Sequence, residues 1–114
     1  MAERGNVAKH LPLSESTYYM MLSLLEPLHG YAVMQKIEEM SGRMVRVGPG
    51  TLYGAFSSME KAKLIEKTGE FDRRKTYVLT PFGREVLAWQ ILRLEKMLSA
   101  GKALFPCERV APDA

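Results

Sequence analysis

Apolar residues recur at helical spacing in four stretches of this chain, separated by short polar or Gly/Pro-marked breaks. In the first, Tyr18, Leu22 and Leu25 form one stripe with Met21 beside it. Ser14 is placed to cap that helix, with Glu15 in the first turn near the positive end of the helix dipole. It should stop near Glu26, because Pro27 disfavours helical geometry at the residue before it. Leu28-His29-Gly30 reads as a short connection. The second stretch sets Val33, Ile37 and Met40 on one stripe, with Tyr31 and Met34 alongside, and Ser41-Gly42 ends it. Met44-Val45-Arg46-Val47 is short and β-branched and is predicted to be extended. Gly48-Pro49 opens a third helix, Pro suiting the first helical position. Its Leu52, Phe56 and Met59 face inward with Ala55 adjoining, which leaves Thr51, Tyr53, Gly54, Ser57, Ser58 and Lys61 outside.

Two β-prone runs follow, Leu64-Ile65-Glu66-Lys67-Thr68 and Lys75-Thr76-Tyr77-Val78-Leu79, on either side of a polar loop from Gly69 to Arg74. They predict a hairpin. Thr80-Pro81 then restarts a helix that can run to Ser99 or Leu104. This helix has two apolar stripes: Phe82, Val86 and Trp89 on one, and Leu87, Ile91, Leu94 and Leu98 on the other. One stripe can cover the domain's own core. The second has no partner inside so short a chain, and a heptad-like seam of that kind joins paired helices. A homodimer held by Leu87, Ile91, Leu94 and Leu98 is therefore expected. The fold class predicted is mainly α with a small β-hairpin wing: a winged helix-turn-helix followed by one long C-terminal helix. Residues 1–12 are expected to form a flexible arm, 13–80 the winged domain, 81–104 the dimerisation helix, and 105–114 a flexible tail.

Composition narrows the function. Nothing reaches the ~18 consecutive apolar residues of a membrane span, and Met1 to Leu11 lacks a signal-peptide apolar stretch, so a cytoplasmic protein without a membrane partner is expected. Cys107 is the single cysteine, which excludes an internal disulfide or a cysteine metal cluster. It is either an idle thiol or a redox sensor in the tail. Neither His10 nor His29 has a nearby nucleophile or metal-ligand spacing, and Gly48-Pro49-Gly50 is a helix start rather than a phosphate loop. No catalytic constellation, cofactor or metal site is expected, and an enzyme is not. The formal charge of +3 is uneven: between Lys61 and Arg84 seven basic residues face three acidic ones, a segment of +4 that leaves −1 for the remainder. A localised basic excess is the electrostatic footprint of a phosphate-backbone partner, although a solvated Lys/Arg-rich loop has the same composition.

Four short motifs sharpen the picture: Gly30-Tyr31-Ala32-Val33 at the head of helix two, Pro49-Gly50-Thr51-Leu52-Tyr53 at the head of helix three, Leu64-Ile65 entering the wing, and Tyr77-Val78-Leu79-Thr80-Pro81-Phe82-Gly83 leaving it. Together they resemble the PadR family of bacterial transcriptional regulators over roughly residues 13–100, specifically its compact branch with a single C-terminal helix. The resemblance implies a homodimer on a partly palindromic stretch of double-stranded DNA, commonly as a repressor released by a small-molecule effector or stress signal. Gly54 departs from many relatives, which carry Pro or a bulkier residue there. Trp89 lies nearer the start of its helix than the tryptophans that stack ligands in some compact members.

In such a fold helix three reads base edges in the major groove while flanking groups hold phosphates. Thr51 and Ser57 offer hydroxyls, Tyr53 a phenol, and Gly54 close approach. Otherwise Thr51 serves only the helix start and Tyr53 is a half-buried core aromatic. The wing tip Arg73-Arg74-Lys75 would lie over the minor groove or backbone, with Lys61, Lys63 and Lys67 on phosphates. Of Tyr18 and Tyr19, one packs and the other, Tyr18 in the site assigned, touches phosphate. Trp89 is either core or interface packing, or a ligand-site wall with Met20, Met21 or Met97 as neighbours. The rival functions are a winged-helix protein-interaction module and a non-specific architectural binder, the latter opposed by the uncharged reading face.

Overall fold

The computed structural model describes residues 2–106; Cys107 and the remainder of the expected tail lie outside them. α1 (Glu15–Ser23) starts where the capping residue predicts, with the Ser14 hydroxyl accepting from the Thr17 N–H at 3.2 Å. It stops at Ser23, short of Glu26. Its buried face is Met20 and Met21, continued by Leu24, whereas Tyr18 and Leu22 are half-buried and Leu25 is exposed. α1 lies against both later helices α2 (Gly30–Met40) and α4 (Pro81–Leu104). The face shared by two neighbours is turned toward Met20 and Leu24, away from the single stripe expected.

The sheet holds a strand that the sequence pattern does not announce. Leu28–His29, expected as a plain connection, form β1 and pair antiparallel with β3 (Arg74–Leu79): Leu28 opposite Tyr77, His29 opposite Thr76. β2 (Ile65–Phe71) takes the other edge, giving the order β1-β3-β2. Residues 44–47, expected to be extended, belong to no strand. Val45 is buried there because the Ser41 hydroxyl accepts from its N–H at 3.0 Å and donates to its carbonyl at 3.3 Å. Packing of Val45 and, in part, of Val47 on the core, not ladder pairing, accounts for the β-branched residues.

α3 (Pro49–Lys61) buries Leu52, Phe56 and Met59 as expected. The hairpin is tighter than the loop from Gly69 to Arg74 predicted: the strands continue to Phe71 and Arg74, leaving Asp72 and Arg73 as a two-residue turn. Both have positive φ, 53° and 65°, the pattern of a type I′ turn, whose twist matches that of the strands it joins.

α4 begins at a double-duty cap. The Thr80 hydroxyl accepts from the Gly83 N–H at 2.9 Å and donates to the Lys63 carbonyl at 2.6 Å, tying the helix start to the chain just before β2. A Cβ on Gly83 would overlap the Leu64 carbonyl, so only Gly lets the helix approach this closely. The inward ridge is Gly83, Val86, Leu87 and Gln90. Two expectations are corrected here. Leu87, assigned to the dimer seam, is 3% exposed and sits in the chain's own core, while Trp89, placed on the core stripe, is 50% exposed. A helix carrying two stripes does not say in its sequence which one its own domain covers; the polar Gln90 completes the ridge and disguises it.

The arm expected over residues 1–12 is also corrected. Residues Ala2–His10 form a 3-10 segment, with Val7 buried and the His10 ring edge-on to Phe82 at 5.6 Å. The apolar Val7 and Leu11 give this otherwise polar stretch a foothold on the core and α4.

Candidate nucleic-acid interface

The two faces of α3 are chemically unlike. Phe56 anchors the inner one, 2% exposed and edge-on to Tyr77 at 4.9 Å; burial of such a ring contributes about 1.5–3 kcal/mol. Burial pushes the Tyr77 phenol up from its ordinary range, with help from nearby Glu60 and Tyr53. On the outer face Thr51, Tyr53, Gly54, Ser57, Ser58 and Lys61 are all exposed, as expected. The helix start is bare: Gly48 supplies no side-chain cap, so the first-turn N–H groups keep no side-chain partner there.

Tyr53 is neither a core aromatic nor a free one. It is half exposed at 49%, its ring stands edge-on to Phe56 at 6.1 Å, and its hydroxyl lies over Gly30, where a Cβ would overlap it. Gly30 therefore lets Tyr53 bridge the heads of α2 and α3. Gly54 is the opposite case: a Cβ there would meet nothing within 4 Å. Glycine inside a helix costs about 1 kcal/mol relative to Ala, and no contact among the described residues explains that cost.

The wing charges are divided between two surfaces. Side chains alternate along a strand, so Arg74 and Lys75 point apart. Arg74 turns back to the domain, its Nη1 3.4 Å from His29 Nε2 and its guanidinium 5.8 Å from the centre of the Tyr31 ring. Arg73 sits in the turn and Lys75 faces outward, both exposed. Among the described residues Lys61, Lys67, Arg73 and Lys75 make no ion pair.

Residues 19–89, more than half of the chain, match the profile of the Transcriptional regulator PadR-like family. The chain belongs to that family. It is 48% identical over 61 residues to an uncharacterized 37.1 kDa transposon protein of Streptomyces fradiae, covering 54% of this chain but only 17% of that protein's length. Among solved structures, a PadR-family transcriptional regulator from Eggerthella lenta superposes with a TM-score of 0.66 at 21% identity, over 91% of this chain and 92% of the other. A transcriptional regulator from Clostridium thermocellum gives 0.65 at 22% identity, over 91% and 94%. These structures share the winged-helix fold. The family is one of transcriptional regulators, not of enzymes.

Two residues beside the candidate interface were not singled out by the sequence reading as candidates for it. Tyr31, 54% exposed, and His29 stand beside Arg74 at the head of α2. His29 also caps α2, its Nδ1 accepting from the Ala32 N–H at 3.3 Å. The signal was present in the His29-Gly30-Tyr31 sequence, a helix start capped by a side chain where that of α3 is bare. Tyr18 and Tyr19 do not divide into one core and one surface residue: both are half-buried, ring centres 5.7 Å apart, and both pack on the core. From Ile91 onward every described residue of α4 is exposed, including Ile91, Leu92, Leu94, Met97 and Leu98. No described helix is long and apolar enough to cross a membrane, and no described group of side chains is arranged to hold a metal ion.

Proposed function

We propose that this PadR-like protein is a cytoplasmic, sequence-specific DNA-binding repressor that acts as a homodimer on a palindromic operator. The outer face of α3 carries the proposal: small, hydrogen-bonding and open at the glycines, with Lys61, Lys67, Arg73 and Lys75 about it making no ion pair among the described residues. Thr51 and Ser57 contact base edges, the first-turn N–H groups and Tyr53 contact phosphate, and Gly54 admits the DNA backbone. Lys61, Lys67, Arg73 and Lys75 supply the salt-dependent share of the affinity. Arg74, backed by the Tyr31 ring, meets phosphate at the head of α2, and Tyr18 contributes at most a phosphate contact. The outward side of α4, with Ile91, Leu94 and Leu98, pairs the two copies, and Trp89 belongs to that surface.

The test uses Arg73. A non-glycine residue in the left-handed region costs about 1–2 kcal/mol, so Arg73→Gly should raise the unfolding midpoint while weakening DNA binding. Each neutralised phosphate contact contributes about 0.9 to the slope of log affinity against log salt. A dimer loses two such contacts, so the slope should flatten by about 1.8. An unchanged slope removes the wing from the interface; a change near 0.9 contradicts the dimer.

A further inference from the structure

Besides the burial of Val86 and Leu87 and the packing of residues Ala2–His10 against it, the long helix is held by polar or close backbone contacts at two places. At its base, Thr80 bonds the Lys63 carbonyl, Gly83 abuts the Leu64 backbone, and Arg84 Nη2 donates to the Leu25 carbonyl at 2.8 Å. The second place is Gln90, 5% exposed, whose Oε1 accepts from the Leu13 N–H at 2.9 Å. Gln90 is the last buried residue of α4; residues 91–104 lie beyond it, all exposed. An apolar side chain would bury at this position without needing a partner, whereas a buried amide is costly unless it is bonded. Its bond is directional, and it ends on the residue just before the Ser14 cap of α1. One anchor fixes where a rod starts; two fix where it points.

We infer that Gln90 sets the angle at which α4 leaves the winged domain, and through it the separation of operator half-sites that the dimer accepts. This inference rests on the dimeric DNA-binding reading above. The free part of α4 spans 14 residues, or about 21 Å at 1.5 Å per residue. A tilt of roughly 10° at Gln90 moves its far end by about 4 Å over that length. In a two-fold pair both arms tilt, so the reading helices shift by about 7 Å relative to each other, close to two base-pair steps of ~3.4 Å. Gln90 is thus a positioning residue, acting on spacing rather than touching DNA.

The experiment compares operator duplexes whose half-sites are at the preferred separation with duplexes carrying two extra base pairs between them. The unaltered protein should prefer the first strongly. Gln90→Met, similar in size but without the acceptor, should lose about tenfold of that preference, the span of one neutral hydrogen bond. Its dimer mass and its affinity for a single half-site should be retained. Gln90→Glu keeps an acceptor oxygen and should keep the preference. If Gln90→Met does not fold, Gln90→Asn withdraws the acceptor by one methylene and should show the same loss. Full spacing preference in Gln90→Met, or in Gln90→Asn where it replaces it, overturns the inference. Failure of the unaltered protein to bind any duplex overturns the DNA-binding reading itself and is seen before any variant is made.

Discussion

Two glycines on helices, Gly54 and Gly83, look alike in sequence and have opposite reasons to be there. A Cβ at Gly83 would overlap the Leu64 backbone carbonyl, which cannot swing aside as a side-chain tip can. Overpacking of that kind costs about 1–3 kcal/mol, which outweighs the gain of up to ~1 kcal/mol in helix propensity. Gly83→Ala should therefore lower stability in urea unfolding. Gly54→Ala meets nothing within 4 Å and should raise stability by up to about 1 kcal/mol, yet bind operator more weakly. A Gly54→Ala protein that is more stable and binds DNA unimpaired would contradict close approach at that position. Residues whose causes are local were legible: Ser14 and Thr80 as caps, Pro49 at a helix start. Gly83 was not, because its reason is a carbonyl 19 positions earlier in the chain, and neither was the inward turn of Arg74 toward His29 and Tyr31.

The elements were legible where one period dominated and misread where two surfaces competed. α3, amphipathic with a single buried stripe, matched expectation residue by residue. β1 is two residues long and exists only because β3 offers an open edge, a cause that no local pattern carries. α4 begins and ends as predicted, but its phase was off: the stripe assigned to the partner began at Leu87, which the domain itself buries. The outward residues Ile91, Leu94 and Leu98 nevertheless remain exposed, and they are the surface proposed to pair two copies. Leu94→Glu should give monomers by light scattering and abolish the dependence of the unfolding midpoint on protein concentration, which a dimer must show. Operator affinity should fall by about 100-fold or more as the linkage of two reading heads is lost. A tight dimer of Leu94→Glu would place the pairing surface elsewhere.

At the scale of the molecule, net charge conveys less than its placement. Lys61, Lys67, Arg73 and Lys75 are exposed and, among the described residues, make no ion pair; the first turns of α3 that they accompany carry no charge. On the proposed reading that arrangement divides the work between phosphates, which supply affinity, and base edges, which supply specificity. The family match ends at Trp89, one residue before α4 leaves the domain. The winged domain carries the family match, and on the proposed reading the projecting helix holds two such domains together. The most direct measurement is selection of bound fragments from random duplex DNA, followed by affinity for the selected sequence against a scrambled one. The expected result is an inverted repeat with half-sites about one helical turn apart (~10 bp), bound at least ~1,000-fold more tightly than scrambled DNA. Enrichment of no sequence, or of a single unrepeated half-site, would contradict a sequence-specific dimeric regulator.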